Sequence, residues 1–161
     1  MHSKMIVLKE LYETDEHIMG IIDDYWLDES LDLSARYNID YYSDSDIEIA
    51  VDILKDRFSD GFKYDKNKNQ VTITLKAVVK YLNGCIRAIN KFMQENKPVD
   101  NFVDHMYLLQ TLVHPEHPKI LTSYSGLEDL LLFARALYKR MTYEHVDKLT
   151  WEVYKCYDYH F

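Results

Sequence analysis

The sequence predicts a mostly α domain: a single compact, bundle-like unit of about six helices with one short β-hairpin near residues 62–74. Three observations lead there. Apolar residues recur with a helical period through most of the chain. Only four glycines and three prolines punctuate 161 residues, so the segments between them run long. Strict alternation, the mark of a half-buried strand, shows only in "VTITL" at 71–75.

Each element follows from its pattern. Leu8, Leu11, Met19, Ile22 and Trp26 make a helical stripe over 4–27, with a break near Thr14 and a strand at Met5–Leu8 as the alternative. Residues 28–44 read as mostly loop. Ser43 or Ser45 then caps a helix over 46–58, whose inner stripe is Ile47, Val51, Leu54 and Phe58. Phe62–Tyr64 and Val71–Ile73 flank a polar turn and form the hairpin. From 75 to 95 the stripe is Val78, Leu82, Cys85, Ile89 and Phe92. Pro98 closes that helix, and Asp100 caps another over 101–113. "SGLE" at 125–128 has capping-box spacing and opens a helix to about 140, with Leu127, Leu130, Leu131, Ala134, Leu137 and Tyr138 inward. Leu132, Phe133 and Ala136 make it apolar nearly all round, which places it centrally. Thr142 caps a last helix through about Tyr157.

Bulk composition bounds the function. At 161 residues and 47% hydrophobic, the chain is one domain that needs neither disulfide nor metal to fold. Cys85 and Cys156 sit in apolar segments and read as buried free thiols of a reducing compartment. The longest apolar run near the N-terminus, Met5–Leu8, is too short for a signal-peptide core, so the expected location is cytoplasmic, whether in the producing cell or in a host. The net charge of −8 divides into −11 over residues 1–60 and +3 over the rest. Phosphate would repel the N-terminal third, whereas a basic protein would be drawn to it.

That acidity concentrates in Asp40, Asp44, Asp46, Glu48, Asp52 and Asp56, with Tyr41 and Tyr42 among them. Glu48, Asp52 and Asp56 follow at i, i+4, three like charges in one helical row. Tyrosine offers rigid apolar area with a hydroxyl, which suits an interface. A second row, Lys76, Lys80, Arg87 and Lys91, recurs on the 75–95 helix. It is either a separate basic surface or a neighbour of the acidic row. Both rows also fit plain solvated faces.

Other motifs are incomplete. "HPEHP" at 114–118 offers His114, Glu116 and His117, with His105 upstream, but its prolines hold the imidazoles on an extended backbone. Asp65, Asn67 and Asn69 begin a calcium-like loop that fails at Gln70 and Lys76. A second such start, Asp44–Asp46–Glu48, fails at Ile49 and Lys55. No phosphate-cradling glycine loop is present. No metal, cofactor or catalytic residue is expected from these patterns.

"RMTYEH", Arg140 to His145, resembles the Arg-x4-His motif of HEPN-type ribonucleases. That resemblance implies a small helical enzyme that cleaves RNA with Arg140 and His145 near a dimer interface. The plainer reading makes Lys139 and Arg140 a cationic helix end. The surface chemistry favours a protein-binding inhibitor. It would be a toxin immunity protein, an antitoxin or a phage-encoded inhibitor that occludes a basic, nucleic-acid-acting partner. An HEPN-like ribonuclease and a structural or adaptor domain are the alternatives.

Overall fold

The structure is a computed structural model that describes residues 2–27, 41–95 and 118–160. It overturns the helical bundle. Among the described residues, four helices flank a seven-stranded sheet, so the fold is α/β rather than all-α. The order is β1 (His2–Glu10), α1 (Asp15–Leu27), β2 (Tyr41–Ser45), α2 (Ile47–Phe58), β3 (Phe62–Asp65) and β4 (Gln70–Thr74). Then come α3 (Leu75–Glu95), β5 (Lys119–Thr122), β6 (Gly126–Asp129), α4 (Leu130–Glu144) and β7 (Lys148–His160).

The sheet runs β3-β4-β7-β1-β5-β6. β1 is parallel to β5 and antiparallel to β7. β7 divides its other edge between two strands: Lys148–Glu152 pairs with β4, and Cys156–His160 pairs with β2. The expected hairpin is present as β3 and β4, with Phe62 opposite Ile73 and Asp65 opposite Gln70.

Three predicted helical segments are strands, each for a physical reason. Met5, Ile6, Val7 and Leu8 are all at most 1% exposed. A strand covered on both faces needs no alternation, so its run of apolar residues has the look of a buried helix. The last helix, predicted from Thr142, is instead the end of α4 followed by β7. Val7 pairs with Lys155 and Leu8 with Val153, so Tyr154 is the extra residue of a bulge. The bulge shifts parity: Trp151 and Val153 share a face with Cys156, while Tyr157 and Tyr159 share the other. Inward positions 149, 153 and 156 then mimic a helical stripe. "SGLE" is the exit of a β-turn: the Thr122 hydroxyl accepts the Ser125 amide at 3.0 Å, and Gly126 takes φ 72°. The helix starts after Asp129, four residues later than "SGLE" suggests.

Residues 41–44, expected as loop, form β2 together with Ser45, and neither Ser43 nor Ser45 is the helix cap, which is Asp46. The proposed helix over 101–113, His105 and His114–His117 lie outside the described residues.

Two apolar clusters sandwich the sheet. On one face Ile6, Leu8, Val71, Ile73, Ile120, Trp151, Val153 and Cys156 meet α2, α3 and α4. On the other, Met5, Val7, Leu121, Leu127, Tyr157 and Tyr159 meet Ile18 and Ile22 of α1. The β3–β4 turn is tied to the bulge. Asn69, at φ 53°, donates its side-chain amide to the Val153 carbonyl at 2.7 Å, and its own carbonyl accepts the Val153 amide at 3.0 Å.

Cys85 and Cys156 are buried free thiols, as expected. Burial pushes Cys85 from 9.0 up to about 11, and it raises Cys156 as well. The folded chain therefore keeps a neutral thiol where the unfolded chain ionises. The stability this gives is whole below pH 9 and is lost as pH rises toward 11. The urea midpoint of the parent is expected to fall more between pH 9 and 11 than that of Cys85→Ala. Equal falls would contradict the assignment.

Candidate functional site

Ala50, Val51, Leu54 and Phe58 are the buried side of α2. Helical geometry therefore turns Glu48, Asp52 and Asp56 outward, and all three are exposed. Asp46 is the N-cap residue; its carbonyl accepts the Ile49 amide at 3.1 Å while its carboxylate makes no cap bond. Asp44 and Asp46 are exposed as well.

Most carboxylates of the sheet region are matched to a base. Asp158 lies 3.2 Å from Lys4, and Glu152 lies 3.1 Å from Lys9. Asp15 bonds Lys9, and that contact leads the causes that raise the lysine's pKa. Asp129 pairs with Lys119. By contrast, Asp44, Asp46, Glu48 and Asp52 have no basic partner among the described residues. Asp56 has only Arg57, at 3.7 Å.

The structure thus keeps Asp44, Asp46, Glu48, Asp52 and Asp56 together along one exposed stretch. Asp40 lies outside the described residues. Tyr41 and Tyr42 occupy adjacent β2 positions opposite His160 and Tyr159.

Asp52 and Asp56 overlook an open cleft of about 650 Å³ with Ile49, Ile53 and Pro118 among its lining. Lys4 forms part of its wall, held by Asp158 and by a 3.3 Å bond to the Ser45 hydroxyl. At the C-terminal end of α2, a groove of about 270 Å³ is shared by Asp56, Arg57, Lys80 and Arg87. Lys76, Lys80, Arg87 and Lys91 are all exposed on α3. The two charged rows are therefore neighbours on one helical layer, the second of the two arrangements left open above. Lys80 also reaches Asp60 at 3.3 Å.

Arg140 has a different role from the one its motif implies. It is the end of a buried ion pair: both terminal nitrogens bond the Glu10 carboxylate, and the side chains are only 8% and 4% exposed. The Tyr124 ring lies 4.4 Å from the guanidinium, and Glu144 lies 3.4 Å from Nε. Burial works against this charge, but the Glu10 bonds outweigh it and hold the pKa above its ordinary value. Glu10 is itself fixed, since its amide donates to Glu13 at 2.7 Å and Glu13 meets His17 at 2.7 Å. His145 is the left-handed C-cap of α4, exposed, and lines a separate cleft with Thr142 and Asp147. Thr142 caps no helix; its hydroxyl donates to the Tyr138 carbonyl inside α4.

Sequence reasoning missed Glu10, because a partner 130 positions away leaves no spacing pattern. The one available signal was a carboxylate closing an apolar run. Asp65 of the calcium-like loop is occupied otherwise: one oxygen accepts the amides of Asn67 and Lys68, which closes the hairpin turn. Among the described residues no three His, Cys, Asp or Glu side chains gather as a metal site, and no helix is long and apolar enough to cross a membrane. Comparison with protein-family models, curated proteins and solved structures gives no match.

Proposed function

We propose that this chain works by binding another protein, and that the acidic face of α2 is the surface it uses. The observation that carries this reading is the clustering of Asp44, Asp46, Glu48 and Asp52 without a basic partner among the described residues, in a fold that pairs Asp158, Glu152 and Asp129 of its sheet with lysines. Like charges in a helical row repel by a few tenths of a kcal/mol per pair. Such a row costs the free protein a little and gains when a cationic surface covers it. The partner is a basic protein, and a nucleic-acid enzyme fits well, since its phosphate-binding cleft is cationic. The mechanism is occlusion, with the carboxylates standing in for phosphates. An immunity protein, an antitoxin or a phage-encoded inhibitor acts in this way.

The test is Glu48→Lys, Asp52→Lys and Asp56→Lys in one variant. It is expected to fold as stably as the parent, because the three side chains are exposed. It should lose a basic partner captured by the parent from the source cell, and the parent's association rate should drop steeply with added salt. A partner held equally by both proteins, with no salt dependence, would refute the reading.

The ribonuclease reading asks Arg140 to act on RNA, whereas its guanidinium is buried on Glu10. Purified protein is expected to leave single-stranded RNA intact. Cleavage abolished by both Arg140→Ala and His145→Ala would reverse the choice.

A further inference from the structure

The helical layer carries two chemically opposite faces side by side, and each has an apolar strip. On α2, Ile49 and Ile53 lie in the cleft under Asp52 and Asp56. On α3, Val79 and Ile86 are 36% and 53% exposed, seven positions apart and thus on one side of the helix. They are bordered by Lys76, Lys80, Arg87 and Lys91. The first strip is bordered by Asp52 and Asp56 on the α2 surface, with Lys4, held by Asp158, and Arg57 also in the cleft; the second is bordered by bases. Isolated exposed aliphatics are ordinary, but a pair flanking a basic row, on the same layer as the half-buried Ile49 and Ile53 flanking an acidic row, is a matched pattern that solvation alone does not call for.

We propose that a second copy of this chain docks on this layer, with α2 of each copy against α3 of the other. A two-fold axis in the interface, running between the two helices, carries the acidic row of one copy onto the basic row of the other. It makes the contact twice. Val79 and Ile86 then cover the strip of Ile49 and Ile53, and Lys76, Arg87 and Lys91 meet Glu48, Asp52 and Asp56. The Lys80–Asp60 pair is exposed and ties up little of this surface. α2 and α3 are about 18 and 32 Å long at 1.5 Å per residue, so their joint face is on the scale of a modest dimer contact. Each copy carries a net charge of −8, so the copies repel at long range. Only this local match opposes that repulsion.

Purified chain alone tests the proposal by sedimentation across a concentration series. One variant reverses the acidic row (Glu48→Lys, Asp52→Lys, Asp56→Lys). A second reverses the basic row (Lys76→Glu, Arg87→Glu, Lys91→Glu) and leaves Lys80 on Asp60. The parent is expected to be a dimer. Each variant should be weakened about tenfold or more in self-association. An equimolar mixture of the two should recover the dimer, since opposite charges then face each other at both contacts. Circular dichroism checks that each variant folds, and Ile86→Lys is read in place of one that does not, with loss of the dimer expected. A monomeric parent, a dimer indifferent to these changes, or a mixture without recovery would overturn the proposal. A second copy and a basic partner compete for the same acidic row, so the second variant, with that row intact and uncovered, should capture a basic partner at least as well as the parent, which reports on the partner reading separately.

Discussion

Glu10→Ala is expected to destabilise the fold by about 3–5 kcal/mol, a large share of the roughly 5–15 kcal/mol that holds a domain together. The change leaves the Arg140 guanidinium charged and buried at the end of β1. Glu144, 3.4 Å away and partly exposed, compensates only in part. The loss should therefore reflect a stranded charge rather than the worth of a pair. Replacing both ends, Glu10→Leu with Arg140→Met, is expected to recover most of the stability, because neither desolvated charge then remains. Glu144→Ala should cost little. Urea denaturation followed by circular dichroism gives all three values. A Glu10→Ala midpoint equal to that of the parent would show that the pair is not formed.

Trp151→Ala should cost a similar amount, about 3–5 kcal/mol, through a cavity in the middle of the sheet. Trp151 is fully buried on β7, paired with Glu10 of β1 on one side and Val71 of β4 on the other. Its ring packs tilted against Phe133 of α4, with centroids 6.1 Å apart. Truncation therefore loosens two strands and a helix together. Trp151→Phe separates volume from polarity. The indole N–H is buried without a hydrogen-bond partner, so phenylalanine removes an unsatisfied donor while leaving a smaller void. Its cost is expected to be less than half that of alanine, read from the same denaturation curves. A Phe variant as unstable as the Ala variant would mean that the indole N–H is satisfied.

What was legible in the chain was local. α2 shows its inner stripe within twelve residues, and α3 runs over the predicted 75–95. The β3–β4 hairpin announces itself by alternation around a polar turn. The acidic row was legible for the same reason, since i, i+4 spacing fixes one side of a helix. The sheet was not, because its pairings are distant: Met5 meets Lys119 and Tyr157, and Tyr42 meets Tyr159. Two-sided burial removed alternation from β1, and the bulge at Tyr154 broke it in β7. Both signals then fell to the helical template. The Glu10–Arg140 pair and the adjacency of the charged rows depend on that sheet and were hidden with it.

The shared edge of β7 has a consequence for synthesis. Lys148–His160 supplies the neighbour of β1, β4 and β2 alike, and it is the last of the described strands to leave the ribosome. Until it emerges, the nascent chain holds β1 and the β3–β4 hairpin with their inner edges bare. Translation of every earlier described strand thus precedes the step that joins them, and until then those edges are open to pairing with other chains.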